Sequence, residues 1–463
     1  MIRAKEIQDK LLHLVGWQRD FNEKALQPAD SLLESESGLY FNQMHPLLTL
    51  KNLNSIMSEY AEDEYGNYPE YIESVTYKKG DIISYRFYAD EGWDSPFELI
   101  KLFRVISDTT LSPVISWSVE ANKPKSFSYT IRSSYWEEIT PFTLWLEEKT
   151  RASIAKVISH FMSDKMQNGA AKAIIENKAL FDGTGRIVDT IKNRNKVAGF
   201  EIVSIRSDGI VTKINRIGFQ ATKAGVYTFY LYHSSSLEPI RVITINKTKA
   251  NTFEWFSFSD LFLRYDDESL DVGGSWYLVY KQSDLTAMDS EAIRKDRDWS
   301  KGPCVSCNRR EYLSWQAWSR YLEIHPFVVS EDEVVDNQLW DIQQNIYDYT
   351  TNFGLNLDVS VYCDISDFII NQRAEFATVL SKQLAVDMLR EFVYNANVRT
   401  NRHSINASKA DIIFDLEGDT ASLHKSGLSY ELELAYKAIA FDTKGINRIC
   451  LPCINNGIKY RGI

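Results

Sequence analysis

Between residues 197 and 326 the hydrophobic positions form short runs of β-branched and aromatic residues. Turn residues interrupt these runs about every 10–15 residues, a spacing typical of antiparallel β-sandwiches and jelly rolls. The pattern therefore predicts seven strands, at residues 197–206, 210–221, 225–234, 239–247, 253–258, 274–282 and 319–328.

The flanking regions show the periodicity of helices instead. An apolar stripe with i, i+3, i+4 and i+7 spacing runs through the segment that follows Pro141, and another runs from Phe376 to Phe392. Either Asp364 or Asp367 is suited to cap the second helix. We also predict helices at residues 96–106, 170–180 and 430–439, and strands at residues 81–88, 126–131, 410–415 and 447–451.

The fold class that follows is a multi-domain α+β protein with a central antiparallel β-sandwich, jelly-roll-like in its pattern. The predicted regions are 1–195, an α+β region with long loops and helices; 196–330, the sandwich; and 331–463, a second α+β region. The two flanking regions either form separate domains or complete one domain that the sandwich interrupts. A length of 463 residues agrees with about three domains.

Composition excludes several classes of protein. Aromatic residues make up 13% of the chain, which argues against global disorder. The net charge of −11 gives no strong nucleic-acid signal. The N-terminus lacks the apolar core of a signal peptide, and no run of 18 apolar residues predicts a membrane span.

Residues 35–48 are rich in turn formers and still carry large apolar side chains, among them Leu39, Phe41 and Leu48. Such a loop gains stability only when another surface buries it, either its own domain or a neighbouring subunit. We expect the chain to self-associate through exposed apolar loops of this kind.

Two Cys-x-x-Cys pairs are the most specific local motif, Cys304 with Cys307 and Cys450 with Cys453. Four thiolates can hold a structural zinc ion, although the two pairs are much farther apart than the roughly 12–20 residues of compact zinc ribbons. The alternatives are four thiols packed in two turns, which we favour, or redox pairs. No helix start follows Cys453, which argues against redox chemistry.

Two tyrosines, Tyr230 and Tyr232, share one face of the predicted strand at 225–234. They form either a platform for stacking on a sugar ring or a surface that packs against a loop or another subunit. We favour packing.

The other polar motifs predict solvent-exposed or structural roles and not binding or catalysis. The acidic run at 265–271 is read as a solvated loop rather than a calcium site, and the basic cluster at 192–196 as an exposed linker. Glu137 and Glu138 are adjacent in sequence, so they point apart and do not form a glycosidase pair.

Three segments carry a resemblance to a known class of proteins, namely residues 35–48, 298–308 and 448–453. In these segments the chain resembles structural proteins of tailed phages and prophages of Bacteroidetes hosts. The resemblance implies a virion component of the neck, tail or baseplate type, for example a head–tail connector ring. It implies a homo-oligomer that contacts other virion proteins, has no catalytic residues and no cofactor, and assembles in the host cytoplasm. The alternative is a carbohydrate-binding or adhesin-like protein that uses the sandwich.

Overall fold

The computed structural model describes most of the chain. The described residues are 2–18, 30–57, 68–89, 97–119, 127–165, 173–181, 187–205, 209–264, 274–295, 297–304, 306, 309–394, 409–418, 426–442, 444, 446 and 450. The acidic run at 265–271 and all of the predicted strand at 447–451 except Cys450 lie outside them.

Eighteen strands are present among the described residues. They are β1 (Ile82–Ala89), β2 (Phe97–Val105), β3 (Val114–Val119), β4 (Phe127–Ile131), β5 (Trp136–Ile139), β6 (Ala173–Ala179), β7 (Ile187–Ile191), β8 (Lys196–Ser204), β9 (Ile210–Gln220), β10 (Gly225–His233), β11 (Arg241–Lys247), β12 (Phe253–Ser257), β13 (Phe262–Leu263), β14 (Trp276–Lys281), β15 (Ala292–Lys295), β16 (Leu322–Ser330), β17 (Ile346–Tyr347) and β18 (Leu355–Cys363).

Ten α-helices accompany these strands in the described part of the chain. They are α1 (Ala4–Leu11), α2 (Asp30–Leu33), α3 (Leu50–Met57), α4 (Pro141–Lys165), α5 (Gln282–Ala287), α6 (Arg309–Trp318), α7 (Ser366–Asn371), α8 (Ala377–Tyr394), α9 (Lys409–Glu417) and α10 (Leu428–Ala438).

The chain divides into two compact units. Unit 1 contains Met1–Ile2, Met166–Phe368 and Thr443–Ile463, and unit 2 contains Arg3–Lys165 and Ile369–Asp442. Unit 1 therefore interrupts unit 2 in the sequence. It extends beyond the predicted sandwich region of 196–330 on both sides, because β6 and β7 precede that region, β17 and β18 follow it, and all four strands pair with strands of unit 1.

Unit 1 is built on two larger antiparallel sheets. The six-stranded sheet has the order β11-β10-β14-β8-β16-β17, and the five-stranded sheet has the order β12-β9-β18-β6 with β13 also paired to β9. β7 and β15 form a separate two-stranded ribbon. The seven predicted strands correspond to β8–β12, β14 and β16, and mixed helices and antiparallel sheets are confirmed.

Aromatic residues join the two larger sheets. The ring of Phe219 on β9 lies 5.1, 5.2 and 5.5 Å, between centroids, from the rings of Tyr227, Phe229 and Tyr280 on the other sheet. All four residues are at most 1% exposed. Edge-to-face contacts between buried rings add to the free energy gained by burying their area, so this cluster is a main source of the stability of unit 1.

Unit 2 combines small sheets with packed helices. β2 lies between β1 and β5, and β3 pairs with β4. Helix α4 packs against α8, and Phe161 of α4 contacts Phe376, which directly precedes α8, at 5.1 Å between ring centroids. The predicted stripe is buried, from Phe376 in the 3-10 turn before α8 to Phe392 within the helix. Asp364 accepts a hydrogen bond from the backbone of Ser366, so it caps the short α7 instead of the long helix.

Three predicted elements are wrong. The helix predicted at 96–106 is strand β2, where Leu102 and Phe103 point to opposite faces of the sheet and are both buried, and burial on both faces imitates a helical stripe. Of the segment predicted as a helix at 170–180, Ala173–Ala179 forms the edge strand β6, since pairing with β18 overrides its local helix propensity. The strand predicted at 410–415 is helix α9, in which Ile412 and Leu416 are buried at i, i+4 spacing.

The apolar loop at 39–48 packs on its own unit, contrary to the expectation that it would be exposed. Phe41 is 1% exposed and contacts Trp17 with a centroid distance of 5.0 Å, and Leu48 is also buried. The backbone N–H of Gly16 donates to Leu39 O at 3.1 Å and that of Phe41 donates to Gly16 O at 2.9 Å. This loop therefore does not supply the apolar surface for self-association.

We expect Phe219→Ala to lower the free energy of unfolding of unit 1 by about 3–5 kcal/mol, because it removes a ring that contacts both sheets. Denaturant unfolding followed by aromatic fluorescence measures the change. The control is Phe414→Ala, since Phe414 is 59% exposed and should cost less than about 1 kcal/mol. Equal losses for the two variants would contradict the packing of the two sheets through Phe219.

Candidate functional site

The six-stranded sheet has an outer face, which we define as the side opposite Phe229 and Tyr280. Side chains alternate along a strand, so Glu201, Tyr277 and Phe327 belong to this outer face. Part of it is packed and dry. A buried cluster there consists of Val197, Tyr232, Tyr277, Val279, Phe327, Val329 and Trp340.

The predicted tyrosine pair lies in the packed part of the outer face. Tyr232 is 1% exposed, contacts Trp340 edge to face at 5.6 Å between ring centroids, and donates a hydrogen bond to Asn337 O at 2.8 Å. Burial raises the pKa of Tyr232 to about 12. Tyr230 stacks beside it at 6.3 Å and has the ammonium group of Lys281 5.6 Å from its ring centroid. The segment around Trp340 therefore covers Tyr232, and the pair does not form an open sugar platform.

Glu201 marks the boundary between the packed and open parts of the outer face. It is 9% exposed and accepts hydrogen bonds from the hydroxyls of Tyr347 at 2.7 Å and Tyr277 at 3.4 Å. Burial and the hydrogen bond to Glu201 raise the pKa of Tyr347 to about 12. Burial and the nearby charge of Glu201 also raise the pKa of Tyr277. Both tyrosines therefore remain neutral donors over the physiological pH range.

Three aromatic rings stand beside Glu201 at the open edge of the sheet, and we call Tyr347, Tyr349 and His325 the tyrosine platform. Tyr347 and Tyr349 are stacked with a centroid distance of 6.2 Å and an interplanar angle of 17°. The hydroxyl of Tyr349 lies 3.3 Å from His325 Nδ1, and His325 is the register partner of Glu201. Tyr347 is 43% exposed, so solvent reaches this part of the face.

The chemistry of the tyrosine platform suits a ring with both apolar and polar groups. Flat aromatic faces offer apolar area for stacking, and nearby hydroxyl, imidazole and carboxylate groups provide directional hydrogen bonds.

The tyrosine platform was not among the sites predicted from the sequence. Its signal was the alternation of Tyr347 and Tyr349, which repeats the spacing of Tyr230 and Tyr232; their pairing with Glu201 depends on strand order and is not visible in the sequence.

The cysteines form a bond that the sequence motifs do not predict. Cys363 and Cys450 are joined by a disulfide, with Cα atoms 5.5 Å apart and 87 residues between them in numbering. Cys450 is buried, whereas Cys304 is exposed with its Sγ 3.1 Å from Ser306 Oγ. Cys307 and Cys453 lie outside the described residues.

This disulfide corrects the predicted zinc site at Cys304, Cys307, Cys450 and Cys453, because the sulfur of Cys450 is not available as a thiolate. It also corrects the favoured alternative, in which all four were thiols. Cys363 belongs to neither Cys-x-x-Cys pair, so motif spacing gave no sign of its role. Within the described part of the chain, no group of three or more His, Cys, Asp or Glu side chains is placed to hold a metal ion.

Glu137 and Glu138 point to different partners in unit 2, as expected for adjacent residues of a strand. The carboxylate of Glu138 lies 2.9 Å from Lys101 Nζ and accepts a hydrogen bond from the hydroxyl of Tyr129. Glu137 lies 3.8 Å from Arg104 Nη1. The two carboxylates therefore serve separate ion pairs.

Comparison with protein-family models, with curated proteins and with solved structures found no match to this chain. Among the described residues, no helix is long and apolar enough to cross a membrane.

We expect reduction of the Cys363–Cys450 bond to lower the free energy of unfolding by about 2–4 kcal/mol, since the bond closes a long loop in the unfolded chain. Peptide mapping without reductant should recover the two residues in one linked pair of peptides. The double variant Cys363→Ala/Cys450→Ala should show the same loss, and Cys304→Ala should not. A map that links Cys450 to another cysteine would contradict this pairing.

Proposed function

We propose that the chain is a non-enzymatic structural protein of a tailed-phage virion, a component of the neck, tail or baseplate that assembles as an oligomer. In this proposal the two larger sheets of unit 1 form a jelly-roll-like sandwich. The contacts of Phe219 with the opposite sheet support the sandwich, and the resemblance at residues 35–48, 298–308 and 448–453 supports the virion role.

The observation that carries the assembly proposal is an exposed apolar edge on the six-stranded sheet. β11 is the terminal strand at one side of this sheet. Val242 lies on the outer face of β11 and is 53% exposed. Leu237 and Ile240 in the preceding loop are 64% and 57% exposed. We call these three residues the β11 edge.

An open strand with apolar neighbours is a surface that proteins usually protect, because its backbone groups can pair with another chain. Single exposed apolar side chains need no explanation, but three beside a strand that has one edge without a partner among the described strands do. The occupant that we infer is a second copy of this chain, since a ring or tail component repeats one contact around its axis. The same edge can then serve every subunit.

We expect Val242→Lys to weaken self-association of the full chain at least about tenfold, because a buried lysine in an apolar contact costs more than about 1.4 kcal/mol. Sedimentation velocity over a range of chain concentrations measures the shift from oligomer to monomer.

The matched control is Phe414→Lys, which introduces the same charge at a residue of α9 that is 59% exposed. It should leave the oligomer unchanged. A wild-type chain that stays monomeric at high concentration, or an oligomer that resists Val242→Lys, would refute assembly through this edge.

Mass spectrometry of purified phage particles tests the virion role separately, and absence of the chain from them would refute that role.

The second candidate function is carbohydrate binding, and the tyrosine platform favours it. Tyr347 and Tyr349 present stacked rings beside Glu201 and His325, which together can contact the face and the hydroxyl groups of a sugar. A virion protein at the tail or baseplate could combine this binding with assembly.

We expect Tyr347→Ala and Tyr349→Ala each to weaken binding to a bacterial surface glycan by up to about tenfold, the value of one aromatic contact. A glycan array probed with the labelled full chain identifies the sugar, and calorimetry measures the affinities. Tyr88→Ala in unit 2 is the control, since Tyr88 is 51% exposed and lies outside the platform. Failure of the wild-type chain to retain any glycan would exclude this candidate.

A further inference from the structure

A hollow of about 430 Å³ lies beside the ribbon of β7 and β15 in unit 1. The basic segment at 192–196, expected to be an exposed linker, forms part of its wall. The charged residues that line it are Lys192, Arg194, Lys196, Arg294, Asp189 and Asp348.

Hydrogen bonds to buried parts of unit 1 hold this basic segment in place. The side-chain amide of Asn193 donates to Ser290 O at 2.9 Å. The backbone N–H of Arg194 donates at 2.8 Å to the side chain of Gln282, which is 3% exposed. These two hydrogen bonds therefore fix the backbone of the segment that carries Lys192, Arg194 and Lys196.

The two carboxylates balance only part of the positive charge in the hollow, because four cations line it and only Asp189, the register partner of Arg294, lies opposite one of them in the ribbon. In the described part of the chain, no ion pair joins Lys192, Arg194, Lys196 or Arg294 to an acidic side chain. Each carboxylate instead accepts hydrogen bonds from a residue that is close to it in the chain. Asp189 Oδ1 accepts from the backbone of Thr190 at 2.8 Å, and Asp348 Oδ1 accepts from the backbone and hydroxyl of Thr350 at 3.0 and 2.7 Å.

Four neighbouring cations repel one another, and an anion placed between them removes that repulsion. The two arginines add geometry, because a guanidinium group can donate two parallel hydrogen bonds to one oxyanion. We propose that this hollow binds a phosphate or sulfate group.

The volume of the hollow indicates more than a bare ion. Sites for small molecules usually measure about 300–1,000 Å³, and the hollow is within that range. A sugar that carries a phosphate or sulfate ester would place its charged group among the cations and its ring against Val328, which also lines the hollow. The hollow shares no lining residue with the β11 edge or the tyrosine platform, although Asp348 stands between Tyr347 and Tyr349 in the sequence. The variants that test it are therefore placed at Lys192 and Arg294, which belong to neither of those surfaces.

Isothermal titration calorimetry on the full chain tests the proposal with five probes: inorganic phosphate, inorganic sulfate, glucose 6-phosphate, glucose 6-sulfate and glucose. We expect the charged probes to bind and glucose not to bind. Raising the salt concentration should weaken binding, because salt screens the attraction. Tighter binding of the two esters than of the inorganic ions identifies an ester as the source of the oxyanion, and equal binding identifies the free ion.

Two variants assign the binding to the hollow. Arg294→Gln and Lys192→Gln should each weaken binding of the preferred anion at least about tenfold, the effect of losing one charge-assisted hydrogen bond. Lys249→Gln, at an exposed cation outside the hollow, should not change it. Circular dichroism verifies that each variant is folded, and Lys192 is exposed, so its replacement should leave the fold intact. Absence of anion binding by the wild-type chain, or equal affinities in all three variants, would overturn the proposal.

Discussion

The pairing of β6 with β18 is the constraint that allows one long segment to form unit 1 in the middle of the sequence of unit 2. These strands carry the chain into unit 1 and out of it again, and Ala173 is the register partner of Tyr362. Because the two strands are antiparallel neighbours, the points of entry and exit are adjacent. A sequence interruption of about 200 residues can then leave unit 2 as one compact body. The Cys363–Cys450 bond attaches a third segment next to the same exit point.

The sequence pattern predicted the structure best where alternation of side chains along a strand was enough to determine it. Strands β8 to β12 have one face toward the opposite sheet and regular turns between them, so their pattern located them well. The sequence pattern did not predict the structure where contacts between distant residues determined it. Leu102 and Phe103 are buried on opposite faces of β2, which produces a misleading helix-like pattern, and Cys363 depends on a partner 87 residues away. The long-range contacts behind these two features cannot be inferred from the local sequence.

The outer face of the six-stranded sheet shows how one surface can serve two purposes. Trp340 seals the part that contains Tyr232, and this makes the predicted tyrosine pair a packing feature. The remaining part ends in Tyr347 and Tyr349, whose rings stay accessible beside the buried carboxylate of Glu201. Alternation along a strand could predict which residues face outward, but it could not predict which of them a loop would cover. Coverage by a loop therefore separates the packed residues from the candidate binding residues.

Hydrogen exchange followed by mass spectrometry tests the central claim, assembly through the β11 edge, most directly. The full chain is compared at a concentration where it is assembled and at one where it is monomeric. The account predicts that amides of β11 exchange more slowly in the assembled chain, while those of β9, inside the other sheet, exchange equally in both states. Equal exchange of β11 amides in the assembled and monomeric chain would contradict the account.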